Sequence, residues 1–397
     1  MEFAKSVNFE TGIDRQRMIK VILLIDCADE HDRKLLRGMM RYSKEHGPWL
    51  FQRLSPNYRF GGGREEQALQ LARDWDADAI IGRWDDNKIH LLDDIGIPVI
   101  LQNNRRRSDV FSNISGDYDG TGQMAAQYFQ NKFYTEYAFF GIKDIVWSEE
   151  RCEGYRREVL SNNGHFHSYI AHVGGDDREK VIEWLKGLPK PVALFCCSDT
   201  YALFVTETCK IAGLRVPDDI AILGVDDDDL LCNISDPTLS SIQTDVENGG
   251  YMICKQLHEC LRSDERKPFT ITIPPLRIQE RNSTSAINVS DPHVLKLIRT
   301  IEDNYTRDLT MEELLQTVSL SRRSIEMRFK KATGVTIYQY LLRVRVDHLA
   351  YLLATTDRSY ADVVYDVGFR DITNVSRTFR KFKGCSPQEW RRKNCVI

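Results

Sequence analysis

The chain contains the stretch Val318-Ser-Leu-Ser-Arg-Arg-Ser-Ile-Glu-Met-Arg-Phe-Lys-Lys331 and repeats its pattern in Val367-Gly-Phe-Arg-Asp-Ile-Thr-Asn-Val-Ser-Arg-Thr-Phe-Arg-Lys381. When the two stretches are aligned at one offset, Phe329 corresponds to Phe379 and Lys331 corresponds to Lys381. Just beyond the stretches, Gly334 corresponds to Gly384 at the same offset. An internal repeat of this kind predicts two copies of one small structural unit.

Each copy has the parts of a helix-turn-helix. In the first copy, Thr310 and Glu313 have the spacing of a capping box at a helix start, and Ser321 can cap the next helix. In the second copy, Ser359 is the candidate cap and Gly368 the candidate turn residue. The spacing therefore predicts two short helices joined by a tight turn, twice over.

The second helix of each copy is predicted to bury one face and expose the other. Ile325 and Phe329 lie one turn apart on the first such helix, and Val375 and Phe379 do so on the second. Arg, Asn and Thr side chains can read base edges or hold phosphates. The candidate DNA-contacting residues on the open faces are Arg322, Arg323, Glu326 and Lys331 in the first copy and Thr373, Asn374, Arg377 and Arg380 in the second.

Charge is distributed unevenly along the chain. From Ser290 onward there are 19 Lys and Arg against 13 Asp and Glu; the whole chain has 54 against 58, which leaves 35 against 45 before Ser290. Phosphate neutralisation supplies most of the nonspecific affinity for nucleic acid, so DNA would meet the basic end. The alternative is two ordinary amphipathic hairpins with solvated faces, but two copies in register with basic second helices favour nucleic acid.

The C-terminal region resembles the AraC family of transcription regulators from Ile298 to about Trp390. The resemblance is carried by Phe329-Lys-Lys331 with Gly334, Tyr340-Leu, Arg343-Val-Arg345, Ala350-Tyr-Leu-Leu353, Gly368-Phe-Arg-Asp371, Phe379-Arg-Lys381 and Ser386-Pro387. It implies an all-α domain with two helix-turn-helix motifs, joined by one long helix from about Ile337 to Ala354. It also implies that both recognition helices enter successive major grooves of double-stranded DNA.

The whole chain has the size and composition of a protein with two or three domains. It has 397 residues, of which 42% are hydrophobic and 28% charged. The longest aliphatic run, Val21 to Ile25, is far shorter than a membrane span, and no secretion signal opens the chain. Ten Cys without a Cys-x-x-Cys pair indicate reduced thiols, so we expect a cytoplasmic protein.

Short apolar strands alternate with amphipathic helices from Met18 to Val225. This alternation predicts an α/β fold with parallel sheets covered by helices. With the C-terminal repeat it divides the chain into four parts. They are an N-terminal arm (1–17), an α/β domain (18–281), a linker (282–290) and the double helix-turn-helix domain (291–397).

Polar and aromatic residues follow several predicted strands. In a doubly wound sheet, ligands bind outside the carboxyl ends of the strands. Carboxylates and guanidinium groups can form paired hydrogen bonds to neighbouring hydroxyls, and an indole ring can pack on the apolar face of a sugar ring. These residues after the strands therefore predict a site for a neutral polyol. The candidate ligand-binding residues are Asp26, Trp84, Trp147, Arg151, Asp199 and Asp226.

Several of these residues also have simpler interpretations. Trp84 and Trp147 could belong to the core, and Asp199 could cap the helix that begins at Thr200. The run Asp226 to Asp229 could cap a helix or hold a hard cation. His165-x-His167 lacks the further ligands that a metal site needs.

The α/β region resembles LacI-type regulators and periplasmic sugar-binding proteins from about Ile19 to Leu261. The motifs are Arg151-x-x-Gly154-Tyr155, Ser198-Asp199-x-x-Ala202, Gly213-Leu-Arg-Val-Pro217, Leu223-Gly-Val-Asp226 and Pro237-x-Leu239-Ser-Ser241-Ile. The resemblance implies a two-lobed, doubly wound, periplasmic-binding-protein-like fold with a sugar between the lobes. It also implies that Arg151 and Asp226 grip the ligand. Ser198 stands where the family has Asn.

A LacI-like region followed by an AraC-like region resembles the bacterial regulators of pentose operons. The resemblance implies a pentose effector, D-xylose first, that closes the sensor and repositions the DNA-binding domains of a homodimer. An activator of catabolic genes that contacts RNA polymerase is the expected role. The alternative is a sugar-modifying enzyme with an accessory DNA module, but Gly-x-Ser-x-Gly, Walker and Gly-x-Gly-x-x-Gly sequences are all absent. We therefore expect no catalytic residues, cofactor or metal, and no membrane partner.

Overall fold

The computed structural model describes residues 18–28, 30–54, 63–102, 105–172, 177–263, 267–307 and 309–394, with the backbone alone at 393 and 394. The predicted N-terminal arm, 1–17, lies outside the described residues. Within the described ranges, no helix is both long enough and apolar enough to span a bilayer.

The first part of the chain alternates strands and helices. In order, these are β1 (Ile19–Leu24), α1 (Glu30–His46), β2 (Trp49–Arg53), α2 (Arg64–Asp74), β3 (Ala79–Gly82), a 3-10 helix (Asp86–Leu92), β4 (Val99–Leu101) and β5 (Ser112–Gly116). The helical segment between β3 and β4 is thus a 3-10 helix. Asp85 caps it by accepting a hydrogen bond from the amide of Asn87. No strand was predicted at β5.

The alternation continues to residue 279. The elements are α3 (Tyr118–Asn131), β6 (Glu136–Ile142), α4 (Val146–Ser161), β7 (His165–Ala171), α5 (Arg178–Gly187), β8 (Val192–Cys196), α6 (Asp199–Ala212), β9 (Ile220–Val225), α7 (Asp229–Ile234), β10 (Ser240–Thr244), α8 (Val246–Arg262), β11 (Thr270–Ile273) and β12 (Pro275–Gln279). The predicted strands and helices up to Val225 are confirmed with small shifts at their ends.

These elements form two sheets in two compact units. The first unit contains the residues up to Gly116 and Val246–Ile273, and the second contains Asp117–Asp245 and the chain from Pro274 onward. The first sheet has the order β2-β1-β3-β4-β5-β11 and is parallel throughout. The second has the order β7-β6-β8-β9-β10-β12 and is parallel except for β12. The shared order confirms the prediction of two similar doubly wound units.

The strands are apolar because helices cover both faces of each sheet. Val21, Ile22, Leu23 and Leu24 of β1 are all buried, and they divide between two core clusters on opposite faces of the sheet. All of β8 and β9 is buried in the same way. The carboxyl ends of these strands are therefore held rigidly at one edge of each sheet.

The predicted linker begins inside the second unit. Residues Asn282–Thr284 form a 3-10 turn in which Ser283 and Thr284 are fully buried. The Ser283 hydroxyl donates to the carbonyl of Ile222 at 2.6 Å, and Thr284 Oγ1 lies 2.6 Å from the hydroxyl of Tyr128. The first part of 282–290 is thus anchored against the sheet by hydrogen bonds.

The C-terminal region is helical. Its helices are α9 (Pro292–Asn304), α10 (Met311–Gln316), α11 (Arg322–Thr333), α12 (Ile337–Thr355), α13 (Tyr360–Asp366), α14 (Val375–Lys383) and α15 (Pro387–Asn394). The capping box of Thr310 and Glu313 is present, and Ser321 and Ser359 cap α11 and α13. Both repeats end their second helix on a glycine, Gly334 or Gly384, in the left-handed conformation.

Two core clusters confirm that this region has two helical subdomains. Phe329 is buried in the first cluster and Phe379 in the second, at equivalent positions of the repeat. The long helix α12 contributes Leu341 to the first cluster and Leu349 to the second. As predicted, one helix joins the two helix-turn-helix motifs.

Candidate effector site and DNA-contacting surface

Arg151 is the centre of the candidate ligand site in the second unit. It lies on α4, is buried, and its Nη1 donates to the carbonyl oxygen of Cys197 at 2.5 Å. Its Nη2 lies 3.6 Å from a carboxylate oxygen of Asp226. Its Nε is buried and has no hydrogen-bond partner among the described residues. A buried guanidinium with a donor left over needs a polar group to complete it.

Two aromatic rings flank this guanidinium. The rings of Tyr118 and Trp147 have their centroids 5.3 Å and 5.6 Å from its central carbon. Trp147 lies one turn before Arg151 on α4 and is half-buried, whereas Tyr118 is the first residue of α3. Tyr118 was missed by the sequence reasoning, since the strand before it, β5, was itself not predicted.

The loop after β9 carries Asp226 in a strained backbone. Asp226 and Asp227 have φ values of 105° and 49°, in the left-handed region that costs a non-glycine residue free energy. The amide of Asp226 donates to the carbonyl of Ile242 at 2.9 Å, and Arg281 forms an ion pair with Asp227 at 2.8 Å. These contacts hold the Asp226 carboxylate, a quarter of which is exposed, toward Arg151.

Asp199 is buried beneath this loop. One of its oxygens accepts a hydrogen bond from the Ser241 hydroxyl at 2.6 Å, and the other accepts from the amide of Asp228 at 2.8 Å. Burial, with a further contribution from the charge of Asp226, raises the pKa of Asp199 to about 8. Asp199 is not the helix cap, because Ser198 occupies the N-cap position of α6. Asp199 therefore supports the loop that presents Asp226.

The acidic run also contains a helix cap. Asp228 caps α7 by accepting hydrogen bonds from the amides of Leu230 and Leu231. Among the residues that the structure describes, no group of three His, Cys, Asp or Glu side chains is arranged for a metal ion. His165 and His167 both contact Glu136 instead, at 2.6 Å and 3.1 Å.

In the first unit, the structure places Asp26 at the carboxyl edge of the sheet but Trp84 in the core. The amide of Asp26 donates to the buried carboxylate of Asp32 at 2.8 Å, and Arg83 donates to the same carboxylate at 3.1 Å. Trp84 is only 4% exposed, and its indole nitrogen donates to the carbonyl of Lys88. Trp84 therefore belongs to a core cluster of this unit, which is the alternative that the sequence left open for it.

Two further polar side chains in the first unit escaped prediction. Arg64 opens α2, and its Nε and Nη2 are buried without a hydrogen-bond partner in the described ranges; the side-chain oxygen of Gln102 is in the same condition. Burial lowers the pKa of Arg64, while the charges of Asp26 and Asp32 oppose that shift. Gln102 follows β4, so a search of all strand ends would have found it.

The DNA candidates of the first repeat lie on the open face of α11. Arg322, Arg323, Glu326 and Lys331 are all exposed. Arg322 donates to Glu326 at 3.0 Å, an exposed pair four residues apart that contributes little to stability. Arg322 is therefore available to exchange this partner for a base or a phosphate, and Glu326 is available to exchange it for a base.

The candidates of the second repeat lie at the start and on the open face of α14. Asn374 occupies the N-cap position without capping, and Arg377 and Arg380 are exposed one turn apart. The hydroxyl of Thr373 donates to the carboxylate of Asp371 at 2.6 Å. This hydrogen bond lowers the pKa of Asp371 and fixes the turn that precedes the helix. The helix start thus presents one amide and two guanidinium groups.

Comparisons with known families match both parts of the chain. Residues 126–284 match the periplasmic binding protein-like domain, and residues 314–393 match a helix-turn-helix domain. The first match ends where the buried 3-10 turn ends. The second begins in the first helix-turn-helix motif and includes the second.

Two relatives align with nearly the whole chain. The xylose operon regulatory protein of Haemophilus influenzae is 27% identical over 95% of this chain and 99% of its own length. The protein of the same name from Escherichia coli K12 is 23% identical over 95% of this chain and 98% of its own length. Both relatives are named as operon regulatory proteins.

A solved structure has the same fold over the same length. The structure of the xylose-binding transcription activator XylR matches with a TM-score of 0.59 and 22% identity, covering 96% of this chain and 100% of its own. At this identity the likeness concerns the fold. The chain is therefore a transcription regulator in which a periplasmic-binding-protein-like domain is followed by an AraC-type helix-turn-helix domain, and it is similar over nearly its whole length to xylose operon regulatory proteins.

Proposed function

We propose that this regulator binds a pentose, D-xylose first, and that the bound sugar changes its affinity for an operator. The observation that carries the proposal is the buried Arg151, which is joined to Asp226 and flanked by Trp147 and Tyr118. A guanidinium and a carboxylate can together donate to and accept from neighbouring sugar hydroxyls, while an aromatic face packs against ring C–H groups. Two relatives carry xylose in their names.

In the first unit, Asp26, Arg64 and Gln102 are further candidates for contacts to sugar hydroxyls. Arg64 and Gln102 have buried polar atoms that sugar hydroxyls could satisfy. Asp199 would act through its hold on the Asp226 loop. A few fixed polar groups in an otherwise apolar site are the usual basis of small-molecule specificity.

The DNA side of the proposal assigns different tasks to different residues. Arg377 and Asn374 would read bases in a major groove, because Arg and Asn make bidentate contacts to guanine and adenine. Arg322, Arg323, Glu326, Thr373 and Arg380 would complete the two recognition surfaces, and Lys331 would hold a phosphate. The protein would act as a cytoplasmic homodimer that activates pentose catabolic genes with RNA polymerase as a partner.

Calorimetric titration of the full chain with a panel of pentoses and hexoses tests the sugar assignment. The proposal predicts a binding heat for D-xylose that exceeds the heat for any hexose. It also predicts that the Arg151→Ala variant gives no heat, while the exposed Arg157→Ala variant on the same helix binds normally. Absence of heat with every aldose would refute the assignment.

A further inference from the structure

The long helix α12 touches the second unit's α/β domain along one face. Tyr340, Arg343 and Tyr351 project from this face, since residues spaced by three and by eleven lie on the same side of an α-helix. We call these three residues the docking face. The Phe133 ring stacks on Tyr340 with centroids 6.1 Å apart, and the guanidinium of Arg343 lies 4.7 Å from the Tyr340 ring and 5.9 Å from that of Phe133.

Phe133 holds a backbone conformation that favours glycine. It follows the C-terminus of α3 with φ of 65°, in the left-handed region that is unfavourable for a residue with a side chain. Its ring packs against the core of the first helix-turn-helix subdomain. Asn288 holds the backbone of Phe133 in place with two hydrogen bonds. The backbone amide of Asn288 donates to the carbonyl of Lys132 at 2.9 Å, and the side-chain amide of Asn288 donates to the carbonyl of Phe133 at 3.2 Å. Docking offsets the backbone cost.

A second contact lies eleven residues further along the docking face. Arg277 of β12 donates to the hydroxyl of Tyr351 and covers its ring, 5.2 Å from the centroid. The Nε of Arg277 donates to the side chain of Gln243 at 2.7 Å. Gln243 belongs to β10, next to Ile242, whose carbonyl accepts from the amide of Asp226. Strand β10, through its contact with Arg277 of β12, thus connects the loop of Asp226 to Tyr351.

The first contact is also one element away from the candidate effector site. Helix α3 begins at Tyr118, whose ring lies 5.3 Å from the guanidinium carbon of Arg151, and ends just before Phe133. A helix of this length is about 20 Å long and connects its two ends rigidly. The two contacts on α12 are therefore linked to Arg151 through α3 and to Asp226 through the paired strands β12 and β10.

We propose that the docking face of α12 is the surface through which effector occupancy reaches the DNA-binding domain. The inference rests on the proposed function. Sugar held by Arg151 and Asp226 shifts α3 and β10, which alters the fit of Phe133 and Arg277 on α12. Because α12 belongs to the cores of both subdomains, a change in its seating moves both recognition helices together. A ligand can shift an equilibrium only through its preference for one of two states. Here the two states are two positions of α12 against the α/β part of the second unit.

The test is the variant Phe133→Gly with Asn163→Gly as its matched control. Both substitutions put glycine at a left-handed position after a helix of the same domain, but Asn163 is exposed, with φ of 57°. Glycine relieves strain, so neither variant should misfold. We expect Phe133→Gly to bind xylose as the wild type does, while the ratio of DNA affinities with and without xylose falls toward one. Asn163→Gly should keep the wild-type ratio.

A second variant removes one hydrogen bond. Tyr351→Phe loses the hydroxyl that accepts from Arg277 but keeps the ring, and Tyr338→Phe makes the same change at a 60% exposed position of the same helix. Only Tyr351→Phe should reduce the xylose-dependent ratio. Unchanged ratios in both Phe133→Gly and Tyr351→Phe would overturn the inference.

Hydrogen exchange without any sugar separates this inference from the proposed function. The amide of Asn288 donates to the carbonyl of Lys132 at the docked surface, so we expect Phe133→Gly to speed its exchange and Asn163→Gly not to do so. If no aldose changes the DNA affinity of the wild type, the proposed function fails, and the hydrogen exchange of the Asn288 amide alone then tests the docking face. Equal protection of Asn288 in wild type and Phe133→Gly would then overturn the docking face.

Discussion

Asp226 combines a left-handed backbone, with φ of 105°, and a carboxylate 3.6 Å from a buried guanidinium. Asn tolerates this backbone, so Asp226→Asn removes the charge and little else. Hydrogen bonds to charged groups contribute about 1.5–3 kcal/mol, so the variant should bind xylose roughly tenfold or more weakly by calorimetry. The exposed Asp218→Asn is the control and should bind normally. Equal affinities in the two variants would exclude Asp226 from the site.

Asp199 gives the stability of the second unit a dependence on pH. Its pKa, about 8 when folded, exceeds the ordinary value of 3.8, so between these values the folded state holds a proton that the unfolded state has lost. The unfolding free energy should therefore fall as pH rises from 4 to 8, by at most about 1.4 kcal/mol per unit. Asp199→Asn should flatten that slope in urea titrations at several pH values. Parallel slopes would contradict the assignment.

The sequence shows which polar and aromatic side chains follow the predicted strands. It does not show which of these side chains are buried in the folded protein. Arg151 and Asp226 were both expected to contact a ligand, and their side chains lie 3.6 Å apart. Trp84 and Asp199 also follow strands, yet one packs into the core and the other has both oxygens engaged. Whether a side chain at a strand end points up or down depends on neighbours far away in sequence.

Among the helices, the turn of the second repeat depends on Gly368. Its φ is 87°, and a Cβ there would collide with the carbonyl of Tyr305. Gly384 has a similar φ of 73° but open space around it. Both Gly→Ala variants should lose roughly 1–2 kcal/mol from backbone strain, and Gly368→Ala should lose more because of the collision. Urea denaturation measures both, and equal losses would contradict the close approach.

The recognition helices should divide specificity from general affinity. Arg377→Ala and Asn374→Ala should each lose about 1–3 kcal/mol of discrimination between preferred and altered sites. Lys331→Ala should instead weaken all sequences alike and reduce the salt dependence of binding. Lys296→Ala, on α9, is the control. Anisotropy titrations over a series of salt concentrations measure these effects, and intact discrimination in Arg377→Ala would show that α14 faces the DNA differently.

Element prediction succeeded where a pattern was local. Caps and helical spacing located α10, α11, α13 and α14, and apolar runs located the central strands. It failed at β5 and at β10 to β12. β5 reads Ser-Asn-Ile-Ser-Gly, and its side chains are buried only because Asn113 and Ser112 hydrogen-bond to neighbouring loops. Ser283 and Thr284 likewise look like linker residues, and only the folded sheet provides their partners.

For the molecule as a whole, the order of domains and the acidic and basic halves were readable from sequence, because each rests on composition and repeats. The contact between them was not. Phe133 and Arg277 carry no motif, and their role follows from where α3 and β12 end relative to α12. The regulator thus consists of familiar parts whose coupling is specific to the fold.

The most direct test of the account is binding of the full chain, at low salt, to a labelled duplex enriched by the protein from a random pool, with and without D-xylose. The account predicts saturable binding to the enriched duplex and a clear change in affinity when xylose is added. If no duplex is enriched or bound, or if xylose leaves the affinity of a bound duplex unchanged, the account is contradicted.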